Sequence, residues 1–223
     1  MKIFDELNIT PNDEKLFDIA LTHGSCSIKL GTNEDYERLE YLGDSVLNMI
    51  VSEYLYNKYP DKGEGALTKL RANYVCQTAL IHYCKNMGLN EYLTICINEN
   101  HISQNEILSI HADIVEAFLG AIFLDQGIEK AREFVSKYIF KHVDNRKIFF
   151  RDYKSRIKEH ADVNNLVIKY ELVAEYGIPH NKTFIIKILI NGVEYGIGNG
   201  KNKKEAEQIA AHKAIKKLGL QHM

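Results

Sequence analysis

"ERLEYLGDSVL", residues 37–47, places Glu37, Glu40 and Asp44 in an otherwise apolar stretch. At about 100° per residue the three carboxylates fall within roughly 60° of one another on a helix. Leu39, Leu42, Val46, Leu47 and Ile50 take the opposite arc, and Gly43 among them allows another helix to come close. The stretch predicts a core-packing helix with an acidic stripe. Most such stripes are solvated faces, so a second acidic group elsewhere in the chain decides between that reading and a site.

That second group stands in "SIHADIVEAFLGAIF", residues 109–123, where Asp113 and Glu116 are three apart on one face and Val115, Phe118, Leu119 and Ile122 lie on the other. Two apolar-backed helices that each carry carboxylates are most economically neutralised by a shared divalent cation. Carboxylate oxygens without clustered Cys or His are hard ligands, suited to Mg²⁺ or Mn²⁺ rather than Zn²⁺. Clusters of this kind activate water and stabilise charge in phosphodiester hydrolysis. Glu64, in "DKGEGAL", could add a carboxylate from a turn. His23 in "LTHGS" and His111 beside Asp113 are candidate bases or ligands, but neither has a visible partner and both read as structural.

The 223 residues allow one or two domains, and 45% hydrophobic with 26% charged residues is ordinary for a globular protein. No apolar run approaches the roughly 18 residues that span a bilayer, and "MKIFDELNIT" has no apolar core of a secretory signal. Cys26, Cys76, Cys84 and Cys96 lack metal-site spacing and are expected as reduced thiols of a cytoplasmic protein. The net charge of −2 conceals an asymmetry: residues 1–145 carry 13 Lys+Arg against 22 Asp+Glu, and residues 146–223 carry 15 against 8. An acidic front and a basic back suggest two domains with different partners, the smaller of a size suited to nucleic acid.

Residues 1–145 read as helix after helix. "NDEKLFDIALTH" opens with Asn12 as a candidate cap, the signature helix runs from about Asp35 to Lys58, another runs from Gly65 to Gly88, and a further one ends near Gly127 before "IEKAREFVSKYIFKHV". Residues 146–151, "NRKIFFR" with its preceding Asn145, form the expected linker. From 152 onward the order is α-β-β-β-α: "DYKSRIKEHADVNN", then the strands "VIKYELVAEYG", "TFIIKILI" and "VEYGIGNG", then "KKEAEQIAAHKAIKKLG" ending at Gly219. Asn191-Gly192 marks a hairpin between the last two strands. The fold class is an all-α domain followed by a small α+β domain.

The last helix begins "KNKKEAE". Lys201, Lys203 and Lys204 oppose the helix dipole there, which makes them unfavourable for the helix and suitable for phosphate. His180, in "GIPHNK" between two strands, could reach across a groove. An RNA duplex is read by its shape, phosphates and 2′-hydroxyls, which such an arrangement suits.

"ERLEYLGDSVL" resembles the signature of the ribonuclease III family, and "HADIVEAFLGAIFLD" resembles its second acidic motif. "GIPHNKTF" and "GNGKNKKEAEQIAA" are similar to the two RNA-contacting stretches of the double-stranded-RNA-binding module. The resemblance covers essentially the whole chain. It implies a Mg²⁺-dependent endonuclease, with Mn²⁺ as a substitute, that hydrolyses double-stranded RNA and leaves 5′-phosphates and short 3′ overhangs. It implies Glu40, Asp113 and Glu116 as metal ligands, Asp44 and Glu116 as the catalytic pair, and Glu37 and Glu64 as accessory acidic positions. His180, Lys201, Asn202, Lys203 and Lys204 become the implied RNA contacts. The family acts as a homodimer with one cutting centre per subunit, in the cytoplasm and away from membranes, on ribosomal RNA precursors and structured mRNA. Tyr41 replaces a common Phe, Asn202 a usual Ser, and Lys158 a residue that is often uncharged. The rival class, a non-cutting RNA-binding protein that dimerises through its helices, leaves the six carboxylates without a purpose. A small-molecule phosphohydrolase leaves the basic module without one.

Overall fold

In the computed structural model the described residues are 2–26, 34–96, 102–149, 152–177 and 182–220. The chain divides into two units, Met1–Phe150 and Arg151–Met223. The first is built from α1 (Lys2–Leu7), α2 (Glu14–Ala20), α3 (Glu37–Lys58), α4 (Glu64–Val75), α5 (Gln77–Met87), α6 (Gln104–Val135), a π-helical turn at Ser136–Phe140 and the short α7 (Lys141–Asp144). Helix α3 buries Leu39, Gly43, Val46, Leu47, Ile50, Val51 and Leu55, the repeat of an amphipathic helix. Helix α6 starts at a reciprocal cap: the Ser103 hydroxyl accepts from the Glu106 N–H, and the Glu106 carboxylate accepts from the Ser103 N–H. It then buries nearly every residue from Ile114 to Ile122. Each fully buried Leu, Ile or Phe there contributes about 1.5–3 kcal/mol.

The two helices cross where neither has a side chain. A Cβ placed on Gly43 would lie 1.8 Å from the Glu116 carbonyl oxygen, and one on Gly120 would lie 2.3 Å from that of Leu39. Backbone contact at this point fixes which residues of α3 and α6 share a neighbourhood.

Several sequence-based expectations are corrected here. Asp13, not Asn12, caps α2, because Asn12 is held by Asp125 through both its N–H and its side chain. The helix expected from Gly65 to Gly88 is two helices broken at Cys76, whose extended backbone (ψ 156°) turns α5 so that Leu80, Tyr83 and Cys84 are buried. The stop expected at Gly127 is a kink: Gly127 takes φ 83° and the helix resumes. Cys26 and Cys96 form a disulfide rather than two reduced thiols. The Thr22–Thr94 bridge lays their segments side by side, which a separation of 70 residues conceals. Cys76 and Cys84 remain free, and burial pushes the Cys84 thiol up to about 12. Finally, the continuous helix Gln104–Asp144 is long and apolar enough to cross a membrane by length and composition. Its most apolar stretch is 61% buried inside the protein, so that apolarity is used for core packing.

Residues assigned to the linker belong in part to this unit. The Asn73 side chain donates to the Lys147 carbonyl and accepts from the Phe149 N–H, and the Phe149 ring packs against those of Tyr74, His82 and Tyr83.

The second unit has α8 (Tyr153–Val163), the antiparallel strands β1 (Ile168–Tyr176), β2 (Thr183–Ile190) and β3 (Val193–Gly200) in the order β1-β2-β3, and α9 (Lys203–Lys217). Asn191 and Gly192, with φ of 50° and 81°, make the β2–β3 turn, as the dipeptide predicts. Gly196, Gly198 and Gly200 face the backbone of α9, where a Cβ on Gly198 would meet the Ala206 carbonyl oxygen at 2.0 Å. The alanine side of α9 (Ala206, Ala210, Ala214) is buried against them.

Candidate active site

The Gly43–Gly120 crossing brings Glu40 and Asp44 of α3 next to Asp113 and Glu116 of α6. Glu116 is the most buried, at 9% exposure; Glu40 and Asp113 are half-buried, and Glu37 and Asp44 are exposed at the rim. Burial, followed by repulsion from Asp44, Glu40 and Asp113, pushes the Glu116 carboxyl up to about 8. Burial, followed by repulsion from Asp113, Glu37 and Asp44, pushes Glu40 up to about 7. Two carboxyls that retain protons near neutrality are what removing like charges from water requires. The Asp44 carboxylate accepts from the Asn48 side chain at 2.6 Å, one turn on.

Among the described residues no three His, Cys, Asp or Glu side chains stand close enough to enclose an ion. The cluster is an open notch rather than a cage. Its donor set nevertheless fits a hard divalent cation, since every candidate ligand is a carboxylate oxygen and the charges that act on Glu40 and Glu116 are other carboxylates.

Glu64 is not brought to this cluster within the chain. It lies in the first turn of α4, accepts from Thr68 at 3.2 Å, and lines a groove of about 490 Å³ with Ser52, Tyr56 and Arg71. Ser52 is about two turns beyond Asp44 along α3, roughly 12 Å.

Two further residues neighbour the notch: Tyr36, which the sequence does not single out, and His23, which it offers but which reads as structural there. The Tyr36 hydroxyl donates to Asp113 Oδ2 at 3.3 Å. Burial raises the Asp113 carboxyl, while that hydrogen bond and nearby His23 oppose the shift. No local signal announces a contact between residues 77 apart. His111, by contrast, has a buried Nδ1 with no hydrogen-bond partner among the described residues, and burial lowers its pKa.

In the second unit, Lys201, Asn202, Lys203 and Lys204 are all exposed at the start of α9. Asn202 caps the helix, accepting from the Glu205 N–H at 2.9 Å, and the Glu205 carboxylate accepts from the Lys201 N–H at 2.7 Å. Lys203 lies within electrostatic reach of Glu175, near the end of β1, which pairs with Lys182 just before β2. His180 lies outside the described residues.

Residues 13–143 match the family model described as ribonuclease-III-like, and residues 153–218 match the double-stranded RNA binding motif. A protein named Ribonuclease 3 from Bacillus cereus is 39% identical over 222 residues, covering 97% of this chain and 91% of that protein. A Ribonuclease 3 from Bacillus anthracis is equally similar, with 39% identity over the same coverage. The solved nuclease domain of ribonuclease III from Campylobacter jejuni superposes with a TM-score of 0.57 at 34% identity, covering 63% of this chain and 95% of that one. That structure is described as showing flexibility in a region involved in dimer formation.

Proposed function

The chain belongs to the ribonuclease III family and is an endonuclease of double-stranded RNA, and on that premise we propose that it cuts with Mg²⁺ held by Glu40, Asp113 and Glu116. Asp44 and Glu116 are the catalytic pair, and Glu37 and Glu64 are accessory acidic groups. The observation that carries the reading is the convergence of Glu40, Asp44, Asp113 and Glu116 at a glycine crossing, with Glu40 and Glu116 pushed up to about 7 and 8.

A bound divalent cation supplies Lewis-acid stabilisation of a scissile phosphate and lowers the pKa of water. The protein's own groups do the rest. Glu116 and Glu40 surrender their protons on cation binding, so affinity rises with pH. Asn48 orients Asp44 at the rim, and the apolar backs of α3 and α6 keep both helices from moving apart. Lys201, Asn202, Lys203 and Lys204, with His180, bind the duplex by its phosphates and shape.

Two strands need two centres, which a twofold dimer provides from one sequence. Tyr41, Met49 and Tyr56 are 80%, 49% and 70% exposed on one side of α3 and supply an apolar face for the second copy. The enzyme acts in the cytoplasm on ribosomal RNA precursors and structured mRNA, leaving 5′-phosphates and short 3′ overhangs.

Labelled duplex RNA incubated with the full chain in EDTA, Mg²⁺, Mn²⁺ or Ca²⁺ tests this. Cutting in Mg²⁺ and Mn²⁺ alone, with 5′-phosphorylated ends, is expected. Equal cutting in EDTA would overturn the metal assignment.

A further inference from the structure

Asp113 differs from its neighbours in how it is held. Asp44 is oriented from its own helix by Asn48, one turn away. Asp113 is oriented from another part of the chain, and among the described residues its side-chain hydrogen bond comes from Tyr36. A carboxylate in a half-buried notch has several rotamers available, and a donor on one oxygen selects among them.

Tyr36 is itself held firmly. It is 6% exposed, its N–H donates to the Thr22 carbonyl at 3.1 Å, and its ring packs 5.9 Å from that of His23. His23 is fixed in turn. Its Nδ1 accepts from the Ser25 N–H at 3.1 Å and lies 2.8 Å from the Ser25 hydroxyl. The Ser25 oxygen also accepts from the Cys96 N–H at 3.1 Å. The 21–26 segment is stitched to 94–96 by the His23 N–H to Thr94 carbonyl bond, the Thr94 N–H to Leu21 carbonyl bond and the Cys26–Cys96 disulfide. Tyr36, at the N-cap of α3 and tied to this platform through its N–H, thus aims one hydroxyl at one carboxylate of α6.

We propose that Tyr36, braced by His23, is the positioning residue that presets Asp113 for the cation. The proposal rests on the metal reading above. The Tyr36 hydroxyl takes one Asp113 oxygen and leaves the other for the ion, so the ligand is oriented before the cation arrives. A purely structural tyrosine, whose buried hydroxyl only needs an acceptor, would affect folding and not metal affinity.

Direct Mn²⁺ binding to the full chain, followed by electron paramagnetic resonance of the free ion, separates these roles. Tyr36→Phe keeps the ring and its packing on His23. It should weaken Mn²⁺ binding by about tenfold or more, shift the Mn²⁺ concentration for half-maximal cutting by the same factor, and leave cutting at saturating Mn²⁺ close to normal. Its thermal midpoint in EDTA should stay near that of the parent. In an Asp113→Asn background the same substitution should have no further effect on Mn²⁺ binding, because Tyr36 acts through Asp113. Parent-like Mn²⁺ affinity in Tyr36→Phe overturns the proposal, as does a full additional loss in the Asp113→Asn background. Asp113→Asn and Glu116→Gln report separately on the underlying site. If both bind Mn²⁺ as the parent does, the metal reading fails; if both lose it while Tyr36→Phe does not, only the positioning role fails.

Discussion

At the α3–α6 crossing, Gly43 and Gly120 let two helices touch backbone to backbone and crowd carboxylates into a half-buried notch. At the β3–α9 contact, Gly196, Gly198 and Gly200 let a sheet touch a helix and leave Lys201, Lys203 and Lys204 in water. The same packing device serves opposite electrostatics. The acidic notch stores repulsion in the core, which weakens the fold and which the proposed cation would relieve. The basic patch stores little, because exposed charges are screened and solvated. The proposed function thus places chemistry where desolvation is costly, and recognition where it is cheap.

The contrast is sharpest at Glu116, the most buried carboxylate. Glu116→Gln keeps the shape and removes the charge. Single-turnover cleavage should fall by about 10²–10⁴-fold, while duplex binding measured in Ca²⁺ stays unchanged because the second unit is untouched. Without metal at pH 8 the variant should be more stable by roughly 1–2 kcal/mol, since a buried like charge is gone. Asp44→Asn should lose activity similarly, and Glu37→Gln at the rim should lose less. Near-normal cleavage by Glu116→Gln would return the α3 stripe to a solvated face.

The glycines break the comparison from the packing side. Gly43→Ala forces a methyl group to 1.8 Å from the Glu116 carbonyl oxygen, and Gly198→Ala forces one to 2.0 Å from that of Ala206. Each should destabilise its own unit by about 3 kcal/mol or more, because backbone rather than a flexible side chain must move. Differential scanning calorimetry of the full chain should show only the affected unit melting early. If Gly43→Ala leaves the helical unit's midpoint unchanged, the crossing is not as close as described.

Much of this was legible in the sequence, for physical reasons that also mark where legibility ends. The acidic stripe of Glu37, Glu40 and Asp44, and the pair Asp113 and Glu116, follow from helical periodicity, which is local. So does the Asn191–Gly192 turn, whose positive φ values are a property of those residue types. The break at Cys76 carries no Gly or Pro, and only packing of α5 explains it. Gly127 reads as a stop because a positive φ usually ends a helix; here the chain beyond it finds enough core to resume. Four cysteines offer six possible pairs for one disulfide, and none is preferred until Thr22 and Thr94 are known to be neighbours. Glu64 was grouped with the other carboxylates by motif, yet its helix starts along a groove beside Ser52 and Tyr56.

The stored repulsion should also be visible as pH dependence. Glu40 and Glu116 titrate near 7 and 8 when folded, against 4.5 as the ordinary value. Below about pH 4.5 both states hold these protons and the notch is harmless. As pH rises from there through about 8, the unfolded chain releases protons more readily than the folded one, so stability falls with pH. The metal-free protein should lose about 1–2 kcal/mol across this window, after discounting for solvent around half-exposed Glu40. Adding Mn²⁺ should restore stability, more strongly at pH 8 than at pH 5. Urea titrations in EDTA and in Mn²⁺ measure both slopes; a flat EDTA series would mean that the carboxylates are not crowded.

The smallest effect belongs to the basic patch. Lys203 and Lys204 are exposed at the first turn of α9, where they oppose the helix dipole. Changing both to Ala should leave the fold intact or slightly improved, since Asn202 still caps the helix through the Glu205 N–H. Duplex affinity should drop by roughly tenfold at low salt, to a similar degree for different sequences, because in the proposed interface these lysines meet phosphates. The slope of log affinity against log salt should flatten by about one unit for each lost contact. Cleavage at saturating RNA should be nearly normal, because these lysines belong to the second unit and the proposed metal ligands to the first. The salt slope is the discriminating measurement: an unchanged slope with unchanged affinity would remove the α9 start from the RNA interface. A large loss of cleavage at saturation would mean instead that the two electrostatic regions are not separable, and that placing the duplex is part of the chemistry.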